Sequence, residues 1–154
     1  MKRPFPIAGL SAILWFLACT SWATIGIEYQ MALGNPTGAT VDSSNHTHYL
    51  IQRLQYAMDY NDTNHQANWV SWSYTSGDTG STARQDSFRA DTSLPSGFLR
   101  IGSATFDTGY DRGHMCPSGD RTASVADNDA TFLMSNMIPQ ASVNNQGLLS
   151  LIHI

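Results

Sequence analysis

The sequence predicts a single α+β domain, an antiparallel sheet with few short helices, and three observations carry that prediction. Charged residues make up only 13% of the 154, about half the roughly 25% of ordinary soluble domains, while Ser, Thr, Asn and Gly recur through the middle of the chain. That mix favours strands and turns over long helices. Val70, Trp72 and Tyr74 alternate with Ser71 and Ser73, the pattern of a half-buried strand. Residues 132–138 are apolar except for Ser135 and Asn136 and are closed by Pro139, which suits a buried strand. A chain of this length can bury one core and is too short for two ordinary domains.

Taken in order, residues 1–23 read as a secretory signal. Lys2 and Arg3 open it, residues 7–18 are largely apolar, and Ser21-Trp22-Ala23 gives a small-x-small cleavage site. The apolar run is broken by Ser and Thr and is short for a membrane span. A secreted or periplasmic protein, free of the membrane after cleavage, is therefore expected. Residues 24–48 form an N-terminal extension, with the turn Gly34-Asn35-Pro36-Thr37-Gly38 and a polar loop at 42–48. The domain proper is expected over 49–154. Within 49–60, Leu50, Ile51, Leu54, Ala57 and Met58 fit one helical face, yet Tyr56, Met58 and Tyr60 also alternate as a strand, so periodicity leaves both open. A polar turn at 61–68 leads into the strand at 70–74, making a hairpin. A Gly/Ser/Thr connection at 76–84, a turn at Leu94-Pro95-Ser96-Gly97 and a short strand at 98–101 follow. Ser124, with Asp127 three positions on, caps a short helix over 124–131.

Charge argues against nucleic acid held by bulk electrostatics. Loss of Lys2 and Arg3 with the signal leaves six basic residues against twelve acidic ones, whereas phosphate neutralisation by Lys and Arg supplies most non-specific affinity. A nucleic-acid partner then needs a local site with a cation and a few placed arginines. Cys116 becomes the lone cysteine of an exported protein, which implies a free thiol, an intermolecular bridge or a lost partner.

Such a local site is present in ordered blocks: Tyr110-Asp111-Arg112-Gly113-His114-Met115, Pro117-Ser118-Gly119-Asp120-Arg121-Thr122, the run from Phe132 to Gln140, and Asn144-Asn145-Gln146-Gly147. Histidine can take a proton from water near neutral pH. Arginine pairs bidentately with phosphate oxygens, and an amide oxygen suits Mg²⁺, which keeps most of its waters. A histidine beside Gly and Arg is by itself more often structural than catalytic. With its DRGH signature and the spacing between blocks, however, the stretch from Arg84 to Gly147 resembles the DNA/RNA non-specific endonuclease family. Gln55-Tyr56-Ala57 and Asn68-Trp69-Val70-Ser71-Trp72 extend the likeness more loosely.

The resemblance implies a ββα-metal (His-Me finger) fold and a metal-dependent endonuclease acting on DNA and RNA without sequence preference, with no stable protein partner. It makes His114 the general base and Asn145 the one direct protein ligand to Mg²⁺, with Mn²⁺ also possible. Arg84 would hold the scissile phosphate, Arg112 is the signature arginine beside the base, and Asn136 is a buried polar residue supporting the site. For Asp111 and Arg112 a structural salt bridge competes with substrate contact. His46, His48 and His65 read as surface loop residues.

The chain departs from the family pattern after Gly147. A Trp and then a Leu-Glu pair are expected there, but the sequence runs Leu148-Leu149-Ser150-Leu151-Ile152-His153-Ile154. His153 stands where the family has a glutamate around the metal waters, a position whose loss commonly matters about 10- to 100-fold. The fold is accordingly expected to be incomplete at the C-terminus and activity low or absent. The competing reading is an impaired, truncated fragment with residual nucleic-acid or metal binding. An extracellular adhesion module would leave the DRGH blocks unexplained.

Overall fold

Residues 49–60, compatible with either helix or strand by period, form two strands in the computed structural model, which describes residues 28–106 and 109–148. The expected signal at 1–23 and His153 lie outside the described residues. Strands β1 (Tyr49–Gln52), β2 (Ala57–Asn61) and β3 (Gln66–Ser71) make an antiparallel sheet in that order. Burial explains the outcome. Ile51, Tyr56, Met58 and Tyr60 are all buried, whereas Leu54, which a helical face would need inside, is 48% exposed and sits in the turn between β1 and β2.

The hairpin turns at 62–65, and a register shift falls between Asp59 and Tyr60. The strand expected at 70–74 instead ends at Ser71. Beyond it, side chains take over from the ladder: Ser73 N donates to Gln30 Oε1 (2.7 Å), and the Trp72 indole donates to Asp120 Oδ2 (2.9 Å). The strand expected at 98–101 is also absent. Phe98 enters the core beneath His46 and Tyr49, and the Leu99 amide donates to the Asp62 carboxylate at 2.8 Å, not to a neighbouring strand.

The segment read as an N-terminal extension is tied to this sheet. The buried Gln30 donates to Leu54 O, Thr37 Oγ1 donates to Asp59 Oδ2, and Thr40 bridges Tyr49. On the other flank the short helix α1 (Val125–Ala130) starts where its cap predicts. Ser124 Oγ accepts from Asp127 N and donates to the Asp127 carboxylate. Its far end is pinned by the Tyr56 hydroxyl, which donates to Ala130 O at 2.9 Å. Arg121 is 2% exposed, and its guanidinium donates to the carbonyls of Gln55, Ser73 and Asp120, joining the sheet to the loop before α1. Five donors in a rigid fork suit such a carbonyl cluster.

The second sheet is a two-stranded ribbon of β4 (Asp111–His114) and β5 (Met137–Gln140). The buried run at 132–138 is therefore only partly strand, with a 3-10 turn at Met134–Asn136 preceding β5. Pro139 lies inside β5 opposite Arg112 and does not end the strand. On an edge strand a missing N–H costs no ladder bond. Among the described residues no helix is long and apolar enough to cross a membrane.

Candidate active site

Because side chains alternate along a strand, Arg112 and His114 leave β4 on one face and Asp111 and Gly113 on the other. The two faces have different neighbours. On the first, the His114 ring meets the edges of Phe88 and Phe132, with centroids at 5.7 and 4.9 Å. Its Nε2 is buried without a hydrogen-bond partner among the described residues. Burial, reinforced by the Arg84 charge and opposed by Asp86, pushes the imidazole down to about 4. It is therefore neutral at physiological pH and able to accept a proton. Gly113 has a steric reason: a Cβ there would lie 2.1 Å from Gln140 Cδ, where the Gln140 side chain crosses the strand.

Arg112 lays its guanidinium 4.1 Å over the Phe88 ring, and among the described residues it has no hydrogen-bond partner. Arg84 sits 4.9 Å over Phe132, donating to Asp86 (2.6 Å) and Ser118 Oγ (2.9 Å). Stacking on aromatic faces holds both planes while leaving N–H edges for an anion. The two arginines, with Phe88, Asp111, Asn145 and Gln146, line a cavity of about 550 Å³. His114 does not line it directly but borders it through Phe88.

On the other face, the salt bridge considered between Asp111 and Arg112 is not formed. Asp111 instead accepts from Asn145 Nδ2 (3.1 Å), Gln146 Nε2 (2.8 Å) and Ser142 Oγ (2.9 Å). These bonds hold its carboxyl below the usual range. Asn145 lies in a helical stretch that opens at Ser142 and, over Asn144–Leu148, has the π form, a rare element often found at functional sites. Because its Nδ2 is spent on Asp111, Oδ1 is left accepting nothing among the described residues.

A model of the DNA/RNA non-specific endonuclease family matches residues 33–150. The chain belongs to that family. It is 46% identical to a nuclease of Nostoc sp. over 121 residues, covering 78% of this chain and 44% of that one. To a nuclease of Serratia marcescens it is 32% identical over 143 residues, covering 88% and 50%. A chain in the crystal structure of an EndoG/EndoGI complex superposes with a TM-score of 0.65 at 26% identity, over 82% of this chain and 51% of that one. The likeness extends the α+β description to a ββα-metal nuclease fold. The chain spans about half the length of the curated relatives it matches, and the match begins at residue 33, inside the segment read as an extension.

For this endonuclease-family chain the donor set fits a hydrated divalent cation. An amide oxygen without a donor among the described residues stands beside a carboxylate that fixes its orientation, both on the cavity wall, and hard oxygen donors suit Mg²⁺, Mn²⁺ or Ca²⁺. Among the described residues no group of three or more His, Cys, Asp or Glu could hold a metal, so such a cation would keep most of its waters.

Asn136, expected among the site residues as a buried polar support, lies in the interior. It is fully buried; Nδ2 donates to Cys116 O and Thr131 O, and Oδ1 accepts from Cys116 N, each at 2.9 Å. With no surface to meet a substrate, it is a positioning residue that fixes the chain after His114. Cys116 is a free, buried thiol pushed up to about 12 by burial, hence unreactive. His46 and His48 bind Asp62 and Asp59 at 2.8 and 2.9 Å, and neither lines the cavity. Phe88 and Gln146 escaped the sequence reading. The only signals were an aromatic between Arg84 and Arg89, and an amide next to Asn145.

Proposed function

We propose that this chain carries the reaction centre of an exported, divalent-metal-dependent endonuclease that hydrolyses phosphodiester bonds of DNA and RNA without sequence preference. One observation supports it above the others: around one cavity stand an arginine and a carboxamide oxygen that have no hydrogen-bond partner among the described residues, with a neutral histidine at its border. Phosphate, a hydrated cation and an attacking water are the complementary set.

In this reading Arg112 and Arg84 grip the non-bridging phosphate oxygens and align the phosphorus for in-line attack. Their contacts go to the backbone alone, which explains indifference to sequence. His114 takes the proton of the attacking water; its low proton affinity keeps it in the accepting form, and Phe88 and Phe132 restrict its ring. Asn145 Oδ1 would hold the metal, with Asp111 fixing the amide so that oxygen, not nitrogen, is presented. Bound there, Mg²⁺ supplies electrostatic stabilisation of charge on the phosphoryl oxygens and the leaving 3′ oxygen.

The test is nicking of supercoiled plasmid and of matched RNA in Mg²⁺ or Mn²⁺, against chelator and His114→Ala controls. Metal-dependent cleavage lost in His114→Ala is the result expected of this reaction centre, and it would overturn the low or absent activity expected from the departure after Gly147. Cleavage that survives in His114→Ala, or no cleavage in any divalent metal, contradicts the proposal.

A further inference from the structure

Tyr110 lines the main cavity and also a second one of about 290 Å³, whose other walls are Asn64, His65, Gln66, Ile101, Thr105 and Pro139. That volume lies near the lower end of the roughly 300–1,000 Å³ of small-ligand sites, enough for a planar heterocycle. The two cavities are neighbours twice over. They share Tyr110, and Pro139 pairs across the ribbon with Arg112, the stacked arginine of the main cavity.

Three features of this second cavity have no role in the reading above. Tyr110 is 56% exposed, a large ring offered to solvent at the junction. His65 is held at φ 56, a conformation uncommon outside glycine that the surroundings must maintain. Among the described residues its Nδ1 is buried without a hydrogen bond, the Asp62 carboxylate being 3.9 Å away. Asn64 and Gln66, on either side of His65, bring two amides that each carry donor and acceptor. An aromatic face with amides beside it matches the flat face and mixed edge of a nucleobase.

We infer that the second cavity receives one unpaired nucleobase of the strand whose phosphate occupies the main cavity, stacked on Tyr110 with its edge met by Asn64 and Gln66. The inference rests on the nuclease reading and deepens it. Every base has a π face, so stacking is tolerant of sequence, and an amide that both donates and accepts suits any base edge. A chain of net charge −4 draws little affinity from phosphate neutralisation, and stacking supplies it by another route. A base in a duplex must leave its stack to enter, at a free-energy cost. Single strands are therefore bound in preference to duplexes.

The experiment uses the full chain carrying His114→Ala, so that substrate survives, and a short single-stranded DNA containing 2-aminopurine, whose fluorescence falls when it stacks. Binding is expected to quench the probe. Tyr110→Ala in the same background abolishes the quenching and weakens binding about tenfold, Tyr110→Phe keeps both, and the duplex of the same sequence binds less tightly. Circular dichroism checks folding. Unchanged quenching and affinity in Tyr110→Ala, or equal affinity for duplex and single strand, overturns the inference while leaving the nuclease reading intact. If no form binds the oligonucleotide and the native chain cuts nothing, the nuclease reading fails and takes the inference with it.

Discussion

The three-stranded sheet and the β4–β5 ribbon treat their large side chains in opposite ways. In the sheet, Ile51, Tyr56, Met58 and Tyr60 turn inward onto Ala67, Leu94, Phe98 and Cys116, and polar groups such as Gln30 and Arg121 end on protein carbonyls and amides. Along the ribbon, Arg84 and Arg112 are spread over aromatic faces at the edge of a cavity, the Asn145 oxygen accepts nothing among the described residues, and His114 Nε2 is buried unpaired. Leaving a polar group unmatched costs stability. The sheet bears the same cost at Asp59 Oδ1 and His65 Nδ1, buried unpaired among the described residues, but only the ribbon sets such groups beside two stacked arginines and a free carboxamide oxygen at a cavity, where partners can come from outside the chain.

The contrast can be broken first at His114. Replacing it with Ala removes a general base, and cleavage of plasmid should fall about 10²- to 10⁴-fold, while the packing lost against Phe88 and Phe132 lowers the thermal midpoint modestly without unfolding the chain. Asn136→Ala is expected to behave in the opposite manner. It leaves Cys116 N, Cys116 O and Thr131 O unpaired in the interior, costing about 3 kcal/mol or more, read as a lower midpoint in urea. Asp111→Ala should leave the fold near its native stability, because that carboxylate is on the surface. Freeing the Asn145 amide should, however, raise the metal concentration needed for half-maximal cleavage about 10- to 100-fold.

A smaller effect concerns pH. His114 titrates at about 4 when folded, below its ordinary 6.5. Its base form therefore persists in acid, and the acid limb of cleavage due to this group should fall near pH 4. The linked stability has a defined sign. Between about pH 6.5 and 4 the unfolded chain binds the proton and the folded chain does not, so this residue's contribution is complete above 6.5 and is lost as pH falls through 4. The difference in urea midpoint between native chain and His114→Phe should stay constant above about pH 6.5 and shift toward pH 4, the native chain losing the more stability across that window.

Much of the site was legible because its chemistry is written in local blocks. Asp111-Arg112-Gly113-His114 forms one strand, and Asn145 with Gln146 one turn. What could not be read were the partners those blocks meet. That Arg112 stacks on Phe88 and Asp111 grips Asn145 instead of Arg112 depends on which loop the fold brings alongside. In the sheet, the 49–60 period satisfied helix and strand alike, and only the exposure of Leu54 separates them. The strands expected to 74 and at 98–101 failed because the side chains of Gln30 and Asp62 captured the backbone amides. Such distant captures leave no periodic trace.

Paramagnetic Mn²⁺ gives the most direct test of whether the ribbon gathers a base and a metal ligand around one cation. Titrated into ¹⁵N-labelled chain, it is expected to broaden the Asn145 side-chain amide and the His114 imidazole over the same range of metal concentration, with the effect on His114 lost in Asn145→Ala. Broadening confined to the His46 and His48 region, or a His114 signal untouched while Asn145 disappears, would contradict the account.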